Sequence, residues 1–184
     1  MLDRNKSYIE SFNFALLGLT KLVETKITNS PKLVNLEVTK KCNARCDFCD
    51  YWQTQHEERL DDYTDLIKKI NPLVVMVTGG EPMMRKDIVD IISQIKAASY
   101  FTYTGIITKG DMLDIDKAKA LYAAGIDQIA ISLDFLGDRH SENRGVNGLW
   151  NHVSQLIPKI STELKRTISI NTIIMDDNLE QIVD

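Results

Sequence analysis

From Leu33 onward the chain repeats one pattern: a short run rich in Ile and Val, then a stretch with apolar residues three and four apart. A run of extended residues giving way to a 3.6-residue period marks strand followed by helix. Repeated, it restricts the fold to a parallel sheet joined by right-handed crossovers. Five runs qualify as strands, at 33–38, 74–77, 104–108, 129–133 and 168–174. Their Ile and Val content predicts strands covered on both faces. Between them, Tyr63, Leu66, Ile67 and Ile70 make one helical stripe, and Ile88, Ile91, Ile92 and Ile95 a second. The segment "DKAKALYAAG" ends at Gly125, a left-handed C-cap. Trp150, Val153, Ile157, Ile160 and Leu164 form a fourth stripe, which Pro158 is expected to kink or shorten. The closing "DDNLEQIVD" reads as the capped start of a fifth helix. Such a sheet is either doubly wound or part of a β/α barrel. In both, chemistry gathers in the loops that follow the strands.

Residues 1–30 stand apart from this repeat. Tyr8, Phe12, Ala15, Leu16, Leu19 and Val23 share one face of a helix, which the turn at Asn29, Ser30 and Pro31 ends. That face predicts a helix covering one end of the barrel; its second reading, over residues 8–23, is a peripheral surface for lipid or a macromolecular partner. The net charge of −4 gives no overall attraction to nucleic acid, and no DNA partner is expected. No secretory signal or transmembrane run is read, and the three cysteines are too few and too close for a disulfide framework. A reducing cytoplasm is the expected compartment.

All three cysteines fall within "TKKCNARCDFCDYWQ", directly after the first strand, as Cys42, Cys46 and Cys49. The C-x3-C-x2-C spacing leaves two metal chemistries open. Zinc needs a fourth ligand, and the nearest is His56, which would make a zinc-stabilised binding module. Three thiolates can instead hold three irons of a [4Fe–4S] cluster and leave the fourth iron for a ligand.

With Phe48 before the last cysteine, this loop resembles the signature of the radical S-adenosylmethionine (SAM) superfamily, and the resemblance continues through later loops to the end of the chain. It implies a partial (β/α) barrel in which residues 31–184 are the core, with five strand–helix units present and the sixth missing. By the same resemblance "TGGEP" supplies Gly79, Gly80 and Glu81 to the amino group of SAM. Thr108 of "ITKG" lies near SAM or substrate, or else serves as a turn hydroxyl. Ser132 and Asp134 of "ISLD", two apart and so on one face of a strand, would bind the ribose. Arg144 would grip the SAM carboxylate through its fork, with Arg139 as the fallback. Asn171, the polar residue of an isoleucine-rich strand, would bond the ribose or a neighbouring backbone group. His140 is read as ordering its loop.

The activity implied is reductive cleavage of SAM to a 5′-deoxyadenosyl radical that takes hydrogen from an unidentified organic substrate. The expected electron donor is of flavodoxin or ferredoxin type. Tyr51 and Trp52 would cover the cluster from water. An inactive protein that keeps cluster and SAM as a sensor or scaffold is the remaining alternative.

Overall fold

The computed structural model describes residues 4–54 and 57–180, with side chains from residue 10 onward. A long helix, α1 (Arg4–Thr28), precedes β1 (Leu33–Thr39), α2 (Thr64–Ile70), β2 (Val74–Gly79), α3 (Ile88–Ala97) and β3 (Tyr103–Thr108). The order continues with α4 (Ile115–Ala123), β4 (Gln128–Ser132), α5 (Asp138–Arg144), α6 (Leu149–Leu164) and β5 (Ile168–Asn171). The five strands lie side by side in chain order, and every neighbouring pair is parallel. This is an α/β fold, an open partial barrel of consecutive strand–helix units.

One face of the sheet is packed throughout, and the other is open along β1 and β2 but buried along β4. Leu36, Val38, Val75, Val77, Ile106, Ile129 and Ile131 turn toward the helices. There they meet Ile67 of α2, Ile88, Ile91, Ile92 and Ile95 of α3, Leu121 of α4, and Val153 and Ile160 of α6. Removing such side chains from water supplies most of the drive to fold, on the order of 1.5–3 kcal/mol each. The opposite face carries Asn35 and Glu37, both exposed, and the half-buried Met76, Thr78, Tyr103 and Gln128. Strands covered on both faces were the expectation. β1 and β2 alternate instead, with polar residues at every second position along β1, whereas β4 is buried from Ile129 to Ser132 as expected.

Element ends depart from expectation for local reasons. β5 stops at Asn171 because the next residues turn away: the Thr172 hydroxyl donates to the Leu133 carbonyl, and Ile173 N–H to Asp134 Oδ1 at 3.0 Å. Gly125 does follow α4 with φ of +96°, and Gly125 and Ile126 N–H groups close the helix on the Tyr122 and Leu121 carbonyls. α6 runs its full 16 residues across Pro158. The proline lies on the solvent side, and the carbonyl it cannot bond, that of Ser154, is in reach of water. α5 falls where only a polar loop was expected. Its buried residues are His140, Ser141 and Arg144, so apolar periodicity is blind to it. At the end of the description, a turn at 176–178 leads into helical residues 179–180; the rest of the expected fifth helix lies outside the described residues.

α1 packs with the face opposite to the one predicted. Phe12, Leu16, Leu19 and Val23 are exposed, Phe12 at 68% and Leu19 at 59%, whereas Lys21 and Thr25 are buried. The packed residues Phe14, Gly18, Lys21 and Thr25 repeat the same spacing two residues later, about 200° around the helix. Phe14 meets Phe101 edge to face at 5.2 Å, and a Cβ on Gly18 would sit 3.1 Å from that same ring. Lys21 donates to Asn71 Oδ1 and Ser99 Oγ. These partners are at the amino ends of β2 and β3, so α1 covers the end of the sheet remote from the cysteines. The surface it meets is polar and aromatic, which is why the stripe with Gly18 and Lys21 fits it. Tyr8 belongs to the residues whose side chains lie outside the description. No helix among the described residues is long and apolar enough to cross a membrane.

Candidate functional site

At the carboxyl ends of β1 to β4 a cavity of about 220 Å³ is lined by Cys42, Cys46, Cys49, the turn Thr78–Glu81, Thr108, Ser132 and Arg144. Four of the loops expected to carry chemistry therefore meet at one place. A larger groove of about 500 Å³ opens between α4 and α6, lined by Asp114, His152 and Lys159 among others, and holds none of these motif residues. All three thiols are free, Cys46 buried and the other two half-buried. Burial pushes the Cys42 thiol up, with Lys109 acting against it; burial likewise pushes Cys46 up, opposed by Arg144.

The cysteine loop is tied down on both sides. Gly80 N–H donates to the Thr39 carbonyl and Glu81 N–H to the Lys41 carbonyl, each at 2.8 Å. A Cβ at Gly79 would stand 2.1 Å from the Thr39 carbonyl oxygen, and one at Gly80 would stand 2.3 Å from that of Lys41. The glycines are thus demanded by the approach of the chain to itself. With the Gly80 and Glu81 N–H groups spent on the chain, any contact from them to a ligand falls to carbonyls. On the far side, Arg45 N–H donates to the Arg144 carbonyl at 3.0 Å, so the end of α5 holds the loop's middle.

The side chain of Glu81 is buried and faces the protein. Its Oε1 accepts from the Thr108 hydroxyl at 2.6 Å and from Met83 N–H at 3.0 Å; its Oε2 accepts from Lys109 N–H at 3.0 Å. Lys109 Nζ lies 3.3 Å from the same oxygen. A carboxylate so engaged joins β2 to β3. Thr108 also accepts from Gly110 N–H at 3.0 Å, as a turn hydroxyl does, and it lines the cavity as well.

Ser132 lines the cavity but Asp134 does not, since β4 ends at Ser132 and strand alternation no longer places the two on one face. Asp134 is buried against Arg144, whose Nη2 lies 2.5 Å and Nε 2.8 Å from Oδ2. The guanidinium also lies over the Phe48 ring, 5.3 Å from its centre. Arg144 therefore reaches the cavity already paired. Arg139, the fallback, pairs at the surface with Asp177 at 2.5 Å and covers Phe135. Asn171 is exposed at the edge of the sheet, and Ile173 takes its place on the cavity wall. His140 is fully buried. Its Nδ1 accepts from Asp134 N–H at 3.4 Å, consistent with the loop-ordering reading, and its pKa is lowered to about 4 by burial and by Arg144.

Several residues that build the site carried no motif. Glu57 Oε2 accepts from Thr39 Oγ1 and from Lys40 N–H, both at 2.6 Å, and fixes the entrance of the loop. Arg85, also buried, bonds the Val38 and Leu60 carbonyls and pairs with Asp87. Tyr51 lines the cavity and donates to Glu37; that bond pushes its pKa up to about 12. Lys109 stood inside "ITKG" with no periodicity to mark it. A lysine next to a strand-end glycine was the one available signal.

The donor set suits an iron–sulfur cluster better than one metal ion. Three soft sulfur donors face one cavity, yet among the described residues no three His, Cys, Asp or Glu side chains are close enough to hold a single ion. The zinc alternative needs His56, which lies outside the described residues.

Residues 36–184 match the Radical SAM superfamily. The chain is 31% identical over 166 residues to the GTP 3',8-cyclase of Lactiplantibacillus plantarum, covering 82% of this chain and 48% of that protein. It is 27% identical to the AdoMet-dependent heme synthase of Methanosarcina barkeri, covering 85% of this chain and 46% of the other. In fold it is similar to Streptococcus suis SuiB bound to S-adenosylmethionine, with a TM-score of 0.66 and 20% identity over 90% of this chain and 40% of that one. The chain spans about half the length of the curated relatives it matches.

Proposed function

The chain belongs to the radical SAM superfamily, and from that premise we propose that Cys42, Cys46 and Cys49 hold a [4Fe–4S] cluster at which SAM is reductively cleaved. A cluster held by these thiols would pass an electron from the reductant to SAM, giving methionine and a 5′-deoxyadenosyl radical that would take hydrogen from substrate. The observation that carries this reading is the meeting of the three thiols with the Thr78–Glu81 turn on one cavity wall.

The chain's own residues do the positioning. The Gly79 and Gly80 carbonyls are offered toward the amino group of SAM, while the Glu81 side chain, engaged behind them, keeps the turn in place. Ser132 offers a hydroxyl to the ribose. Asp134 acts through Arg144, holding the guanidinium over Phe48 and beside Cys46, where it is available to a carboxylate. Ile107 and Ile173 give the adenine an apolar wall and keep water out. Residues 31–184 form this radical-generating core, with 1–30 as an appended helix. GTP, the substrate in the name of one relative above, is the first to test, and haem precursors follow from the other. A flavodoxin or ferredoxin type protein serves as reductant.

The test is anaerobic reconstitution with iron and sulfide, then a reductant and SAM. Brown protein that forms 5′-deoxyadenosine, with both lost in Cys46→Ala, supports the reading. Colourless protein, or cleavage untouched by Cys46→Ala, overturns it.

A further inference from the structure

We propose that Lys109 is a positioning residue that clasps the cysteine loop through Asn43 and holds a positive charge beside Cys42. The inference rests on the cluster reading above. A lysine is seldom buried, because desolvating its ammonium costs several kcal/mol unless every donor is met. Here only 4% of Lys109 is exposed, and its ammonium hydrogen-bonds Asn43 and Glu81 and makes an ion pair with Asp111. Nζ lies 2.8 Å from Asp111 Oδ1, 3.3 Å from Glu81 Oε2, and 2.5 Å from Asn43 Oδ1. Asn43 also donates from Nδ2 to Asp111 Oδ2 at 2.7 Å, which closes the ring.

Asn43 is the residue after Cys42 and is itself exposed. Nothing in the core holds it. The ring through Lys109 and Asp111 is thus what fastens this part of the cysteine loop to the end of β3, while Glu81 extends the fastening to β2. Three loops that each face the cavity are joined at one ammonium.

The charge has a second consequence. A reduced cluster is more negative than an oxidised one, so a nearby cation favours reduction and raises the potential. Removing Lys109 takes away that cation and leaves Glu81 and Asp111 as uncompensated carboxylates beside Cys42, which lowers the potential further.

The experiment compares the parent with Lys109→Gln, Lys109→Arg and Asn43→Ala after anaerobic reconstitution. It reads iron per chain, the rate of iron release to a chelator, and the midpoint potential. Lys109→Gln is expected to release iron about 10-fold faster or more. Its retained cluster should shift tenfold toward the oxidised form, about 59 mV for a one-electron couple. Lys109→Arg keeps the charge and should restore the potential. Asn43→Ala opens the clasp with both ion pairs intact, so release should quicken while the potential stays near the parent's.

Lys109→Gln matching the parent in both readouts overturns the proposal. Faster release with an unmoved potential overturns its electrostatic half. If Lys109→Gln does not fold, Asn43→Ala decides, and release at the parent's rate sinks the clasp. If the parent itself takes up no iron and sulfide, the cluster reading falls and takes this one with it. The other adverse results leave the cluster reading standing and overturn only the half of this proposal that each addresses.

Discussion

Among the described residues two lysines are buried, one at each end of the sheet, and the protein compensates them differently. Lys21 at the amino end bonds the neutral groups of Asn71 and Ser99 and lies 5.0 Å from the centre of the Tyr100 ring. Its one carboxylate, Glu24 at 3.5 Å, keeps about a third of its side chain in water. Lys109 at the carboxyl end sits between two carboxylates, Glu81 and Asp111, that are almost wholly inside. The first arrangement fastens a helix to a rim that water still reaches. The second is an interior charge network, in which no member can be removed without stranding another.

The comparison is tested first by removing each ammonium. Lys109→Met strands the buried Glu81 carboxylate and the half-buried Asp111 and should cost about 3–5 kcal/mol in denaturant unfolding. Lys21→Met should cost about 1–3 kcal/mol, since its neutral partners lose bonds but no charge is left buried. Equal losses would erase the distinction. Lys21→Met should also leave iron uptake and SAM cleavage unchanged, because its contacts lie at the far end of the strands.

A smaller effect tests the interior end by pH. His140 is neutral in the fold, with a pKa of about 4 against an ordinary 6.5, since burial and then Arg144 disfavour its charged form while Asp134 favours it. Between those values the unfolded chain holds more protons, so stability rises with pH across the window. The contribution is complete above about 6.5 and lost as pH falls through about 4. His140→Gln should flatten that slope in unfolding midpoints measured from pH 4 to 7. A slope left intact would assign it to the carboxylates instead.

The smallest effect belongs to the outer face of α1. Leu19→Gln should move the unfolding free energy by no more than about 0.5 kcal/mol, because the residue is exposed. Gly18→Leu on the packed face, against Phe101, should destabilise far more. The reverse order would restore the apolar stripe as the packed one.

The strands, α2, α3, α4 and α6 were legible because their buried positions are apolar and recur at the period of the element. The cysteines and the Thr78–Glu81 turn were legible because three thiols and a glycine pair are rare in such positions. α5 was not, since what it buries is His140, Ser141 and Arg144. Nor was the phase of α1, where two stripes of one spacing differ only in what they meet. Gly79 and Gly80 were recognised, but the reason for them is the carbonyls of Thr39 and Lys41.

Sequence by itself determined the class of fold, the end of the sheet where the motif loops meet, and the three clustered thiols, since each depends on residue type and local spacing. Tertiary structure alone decided which charges pair, Asp134 with Arg144 and Lys109 with Glu81 and Asp111, and that Asn43 hydrogen-bonds the same ammonium. Those partners lie 2 to 66 residues apart in the chain, and the distant ones, Lys109 with Glu81 and with Asn43, become neighbours only when the strands stand side by side. Electrostatic energy depends on distance and burial, and a linear sequence carries neither.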